Sequence, residues 1–155
     1  MKELFHIFVY LRKYHNSEIV FDTSDPVVDE RQFEEKDWTA SEFGSHTEEY
    51  LPAKMPIPRG FGFAMRAYVD VNQAGDSITC RYLTVFLVYL NMAPVYWMSK
   101  NQTSVETSSF GSEFIATKQC TNYVRGLWYK LQMLGIPCEG CIFLYGENQS
   151  VLYKT

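Results

Sequence analysis

Between Ser108 and Gly135 the chain repeats an apolar residue at nearly every third or fourth position: Phe110, Phe114, Cys120, Val124, Leu127, Leu131 and Leu134, with Thr117 in the one wide gap. That spacing suits one face of an α-helix and not a strand, whose side chains alternate with a period of two. Ser108 or Ser109 can cap the start of this helix, and Gly135 followed by Pro137 ends it. The helix interrupts a series of β-rich segments. Residues 64–71 and 83–90 read as strands, with residues 73–76 as a turn between them. Residues 91–94 read as a hairpin connection into a third strand at 95–98, and residues 141–145 follow the helix as a fourth. A helical crossover suits a last strand that lies parallel to one already in the sheet. The expected class is therefore α/β, with a mixed sheet.

Upstream the pattern is weaker. Residues 2–14 read as a short amphipathic helix with Leu4, Phe5, Phe8, Val9 and Leu11 on its apolar side, and with Arg12 and Lys13 in the last turn, where cations favour the helix dipole. Residues 18–21 read as a short strand closed by a turn cluster at 22–26. Residues 22–49 then hold ten acids and two bases, whereas residues 50–155 hold six acids and nine bases. An acidic, solvated connection is expected there, kept extended toward its end by Pro52, Pro56, Pro58 and Gly60. The chain divides into an N-terminal helix and strand (1–21), this connection (22–61) and a C-terminal domain (62–155).

The chain's 11 Phe, 11 Tyr and 3 Trp bury large areas each, so 155 residues can build a sizeable core. No apolar run approaches the ~20 residues that a membrane-spanning helix needs. The start of the chain lacks a small-residue cleavage site, and Cys80, Cys120, Cys138 and Cys141 are too scattered for a disulfide scaffold. An intracellular setting, cytoplasm or nucleus rather than a secreted one, is the expectation. The pair Cys138 and Cys141 is half of a zinc site with no second half in the sequence, and it reads better as apolar filler.

Three acids stand where an α/β sheet could gather them. Asp70 lies near the end of the first strand, Glu113 in the first turn of the long helix and Glu147 just after the fourth strand. Clustered carboxylates without soft ligands suit Mg²⁺ or Mn²⁺. Arg66, Arg81, Lys100 and Lys118 could meet phosphates, and Tyr68, Tyr96 and Trp97 could stack on bases, although strand positions favour their packing in the core.

The words YVDVNQAGD (68–76), APVYWMSKNQ (93–102), SVETSSFGSEFIA (104–116) and YGENQS (145–150), in that order and spacing, resemble the ribonuclease H domain of copia-type retrotransposon polyproteins. The resemblance is clearest from Arg59 onward, and the N-terminal helix and strand look more loosely like the end of the preceding reverse transcriptase region. It implies a ribonuclease H-like fold whose first three strands are antiparallel and whose fourth pairs parallel with the first. It also implies hydrolysis of the RNA strand of RNA–DNA hybrids with two divalent metals, Mg²⁺ or Mn²⁺. Asp70 then corresponds to the first metal-bridging carboxylate, Glu113 to the helix glutamate, and Glu147 to the position after the fourth strand.

The family has Asp where this chain has Glu147. One extra methylene moves the carboxylate by about 1–1.5 Å, and a misplacement of that order can cost about 10²-fold in rate. The family's remaining catalytic Asp, its fifth strand and its last helices are expected beyond Thr155, and Val85 and Asn101 replace a frequent Gly and a usual base. The expectation is a fragment of a polyprotein with a C-terminally truncated ribonuclease H-like domain. It would be catalytically impaired alone, bind RNA–DNA hybrid or other nucleic acid weakly, and self-associate through an open sheet edge. A noncatalytic nucleic-acid-binding or assembly module is the alternative, and a nuclease completed by another chain is a third possibility.

Overall fold

The computed structural model describes residues 2–29, 53–72 and 81–147. The turn expected at 73–76, Cys80 and most of the acidic connection lie outside them. Helix α1 (Lys2–Lys13) is followed by strands β1 (Met65–Asn72), β2 (Leu83–Leu90) and β3 (Ala93–Asn101), helix α2 (Ser109–Met133) and strand β4 (Phe143–Gly146). The sheet order is β3-β2-β1-β4. β1 and β2 pair antiparallel, as do β2 and β3, whereas β4 lies parallel to β1 with Tyr68 opposite Tyr145. This is a mixed α/β fold, and its strand directions agree with those the resemblance implied.

The tight turn between β2 and β3 needs only Asn91 and Met92, so Pro94 lies inside β3 rather than in the connection. Asn91 adopts a left-handed φ of 54°, which Asn tolerates better than most residues. It is also a clasp. Its backbone N–H donates to the Ala64 carbonyl at 2.8 Å, its Oδ1 accepts from the Ala64 N–H at 2.8 Å, and its Nδ2 donates to the Thr23 carbonyl at 2.8 Å.

One face of the sheet is covered by α2. Met65, Ala67 and Val69 of β1 and Phe86 and Val88 of β2 pack against Ala116, Cys120, Val124 and Leu131 of the helix. Strand alternation sends Arg66, Tyr68 and Asp70 to the other face, where α2 does not reach. The buried helical stripe differs from the one the apolar spacing suggested. Ser112 and Ala116 face the sheet, while Phe110 and Phe114 are turned outward, Phe114 by 46%, and stack on each other at 6.4 Å. Small residues let the helix backbone come close to the strands, and the bulky rings do not fit that gap. Leu134, at the other end of the expected stripe, is the C-cap and is 72% exposed.

The helix ends follow their local chemistry. Ser108 is extended, and its Oγ accepts from the Gly111 N–H at 3.1 Å. At the other end Gly135, with φ +75°, donates to the Gln132 carbonyl while the Ile136 N–H reaches Leu131, the paired bonds of a Schellman stop.

Two N-terminal expectations fare differently. Helix α1 forms, but Phe8, Val9 and Leu11 of its apolar side are exposed. No strand forms at 18–21; Ile19, Val20 and Phe21 are exposed, and among the described residues no neighbouring strand offers them a ladder. Among the described residues no helix is long and apolar enough to cross a membrane.

The two faces of the sheet should differ in mutational cost. Phe86→Ala, on the covered face, is expected to cost about 3–5 kcal/mol. Trp97→Ala, at a site 61% exposed on the other face, should change stability by less than about 1 kcal/mol. Urea denaturation of both variants checks this, and equal losses would mean that both faces are covered.

Candidate functional site

Parallel pairing of β1 and β4 brings the C-terminal ends of both strands to the same rim of the sheet. Asp70 stands on β1 opposite Val85 of β2, is exposed, and accepts a 2.7 Å hydrogen bond from the Val71 N–H through Oδ1. Glu147 follows Gly146, the last residue of β4, which lies opposite Val69. Between the two acids, on the uncovered side of the sheet, a cavity of about 300 Å³ is floored by Tyr68, Val85, Leu87 and Tyr145. The Tyr68 and Tyr145 rings stack in it at 4.8 Å and 12°.

Glu113 arrives from the helix. Because α2 begins at Ser109, Glu113 opens the second turn rather than sitting in the first, which holds no acid. It is half-buried. Partial burial pushes its carboxyl above the ordinary value, and the negative charges of Asp70 and Glu147 push it further the same way. Asp70 and Glu147 therefore stand near enough to Glu113 for their charges to bear on its carboxyl.

Their donor chemistry, hard carboxylate oxygen, suits a magnesium-like ion. Their spacing does not yet make a cage. Among the described residues no three His, Cys, Asp or Glu side chains are grouped closely enough to hold a metal ion. As placed, the rim is an electrostatic cluster and not a formed metal site. Cys138 and Cys141 belong to no such group either; Cys138 is half-buried, and burial raises its thiol pKa.

Other candidates divide. Arg66 is buried, donates through Nη2 to the Asn91 carbonyl at 2.9 Å, and lies 5.5 Å from the centre of the Tyr89 ring. It is a structural cation and not a phosphate contact, because the alternation that buries the covered face also folds Arg66 under Tyr89. Arg81, Lys100 and Lys118 remain exposed. Of the three rings, Tyr96 packs on the covered side, stacked on Tyr123 at 3.9 Å, whereas Tyr68 and Trp97 lie on the uncovered side.

Gln102 was missed as a site residue. It is fully buried just beyond β3, and its amide bridges β2 to the start of α2. In the sequence it is one polar residue in a polar stretch, and no periodicity marks it.

Over 97 residues the chain is 27% identical to the retrovirus-related Pol polyprotein from transposon RE2 of Arabidopsis thaliana. It is 27% identical over 97 residues to the corresponding polyprotein from transposon RE1 of the same plant. The similarity supports a retrotransposon polyprotein origin. Each match covers 63% of this chain and 7% of the relative, so the chain spans only a small part of these polyproteins. No family model matches the chain, and no solved structure does.

The raised Glu113 carboxyl sets a direction for pH dependence. Below the ordinary 4.5 the group is protonated whether folded or unfolded and makes no difference to stability. As pH rises through the window between that value and the raised folded one, the unfolded chain gives up this proton while the folded chain keeps it, so stability falls and stays lower once both states are ionised. Glu113→Gln should thus be more stable than the parent at neutral pH, with the gain vanishing in acid. In carbon-13 titrations of the Glu113 carboxyl, Asp70→Asn and Glu147→Gln should each lower its midpoint. Unchanged midpoints would leave burial as the sole cause.

Proposed function

We propose that this chain is a fragment of a retrotransposon Pol polyprotein whose C-terminal part is a partial ribonuclease H-like domain, impaired in hydrolysis on its own. The observation that carries the reading is that Asp70 and Glu147, at the rim where parallel β1 and β4 end, stand near enough to Glu113 for their charges to raise its carboxyl. The strand order β3-β2-β1-β4, with its helical crossover into β4, supports the fold, and the similarity to the two plant polyproteins supports the source. In this reading the substrate is the RNA strand of an RNA–DNA hybrid and the cofactor is Mg²⁺ or Mn²⁺.

Impairment has two physical grounds. The acids are not drawn together into a three-ligand group among the described residues. Glu147 also carries one methylene more than the Asp that the resemblance places after the fourth strand, and a shift of about 1 Å at such a position is worth about 10²-fold in rate. Binding of nucleic acid is expected to be weak and salt-sensitive, since Arg66 is engaged in the fold and the rim is negative.

A labelled RNA–DNA hybrid, incubated with the chain and Mg²⁺ or Mn²⁺ and resolved on a gel, tests this. Cleavage should be slow or undetectable in the parent, rise by about 10- to 10²-fold in Glu147→Asp, and vanish in Asp70→Asn. Efficient parental cleavage abolished by Asp70→Asn would show a competent nuclease and overturn the impairment. Salt-dependent binding with no cleavage in any variant would instead favour a noncatalytic nucleic-acid-binding module, for which exposed Tyr68 and Trp97 offer stacking faces.

A further inference from the structure

Gln102 is 1% exposed and is held at both its backbone and its side chain. Its N–H donates to the Tyr82 carbonyl at 2.7 Å, carrying the β2–β3 ladder one step past the end of β3. Its Nε2 donates to Thr84 Oγ1 at 3.0 Å and to the Ser112 carbonyl at 2.8 Å. Both partners are fully buried. Thr84 lies opposite Val71 of β1, the residue after Asp70, and Ser112 directly precedes Glu113. One amide group thus bridges the strand pair that carries Asp70 and the helix turn that carries Glu113.

The orientation of the amide is fixed, because a backbone carbonyl can only accept and the nitrogen must face it. The consequence is that Gln102 Oε1 is buried without a hydrogen-bond partner among the described residues. An unsatisfied buried acceptor is destabilising, and that cost is set against the two bonds that Nε2 makes to Thr84 and Ser112. What the amide supplies that an apolar chain cannot is a directed hold on Ser112.

We propose that Gln102 is a positioning residue: its Nε2 fixes the first turns of α2 against β2 and so sets where Glu113 stands relative to Asp70. Without it, the helix start would depend on the Ser108 cap, which lies outside the core, and on the contact of Ser112 with the sheet. The inference rests on the proposed function only for what the Glu113 carboxylate does; the positioning itself involves no metal and no nucleic acid.

Amide hydrogen exchange of the full chain, followed by NMR, tests it. Gln102→Met keeps volume and removes both side-chain bonds, so the amides of residues 112–116 should exchange at least tenfold faster while those of residues 124–131 and of β2 stay unchanged. Thr84→Val, which removes one acceptor, should give a smaller change at the same amides, and the double variant should match Gln102→Met alone. Uniformly faster exchange along α2 and β2 would assign Gln102 to general stability and overturn the proposal, as would unchanged exchange at residues 112–116. A hybrid-cleavage assay in which Glu147→Asp brings no gain, while this local change appears, removes the nuclease reading and leaves the positioning intact.

Discussion

The close approach of α2 to one face of the sheet is the contact on which the rest depends. Ala116 and Cys120, both 0% exposed, are small enough for the helix backbone to settle over β1 and β2, with Val124 and Leu131 extending the seam. Burial in this seam pushes the Cys120 thiol up to about 12, so it stays protonated and behaves as an apolar side chain. Lying over β1 and β2, α2 carries the chain across the sheet and returns it as β4 alongside β1 in the parallel sense. The same placement swings the start of the helix to the rim where β1 and β4 both end. Core packing and site assembly therefore come from one helix–sheet contact.

The acidic rim shows how a fold can hold like charges together. Each carboxylate sits on a different element: Asp70 on β1, Glu113 on α2 and Glu147 after β4. Backbone hydrogen bonds and core packing elsewhere fix those elements, and the Glu113 carboxyl is raised first by its partial burial and then by the charges of Asp70 and Glu147. Two uncharged residues tie the elements to one another through hydrogen bonds, Gln102 near the rim and Asn91 at the opposite end of the sheet.

The sequence disclosed most of this where pattern and chemistry point the same way. Alternation in β2 and the long periodic stretch of α2 mark those elements, and the Ser108 cap and the Gly135 stop lie where local rules put them. The positions of Asp70 near the end of β1 and of Glu147 after β4 were legible as well, whereas Glu113 opens the second turn of α2 and not the first. The face of α2 was not, because residues spaced by three or four define several overlapping tracks. The sheet selected the track of small residues, Ser112 and Ala116, over that of Phe110 and Phe114. A strand at 18–21 was β-rich in composition but lacked a partner, which no local pattern reveals. Gln102 and the engaged Arg66 were hidden for a related reason: their bonds reach residues far along the chain, and short-range patterns carry no trace of them.

The single seam also governs how the domain comes apart. Every buried apolar residue of the core cluster lies between α2 and one side of the sheet, and the opposite side, with Trp97 and Tyr68 open to water, contributes no second layer among the described residues. Peeling α2 away would wet the entire interior at once and leave the strands with nothing to rest on. Partial unfolding intermediates that keep the sheet while losing the helix have no reservoir of buried surface to sustain them. Loss of structure in this unit should consequently be abrupt, with helix and strands melting as one.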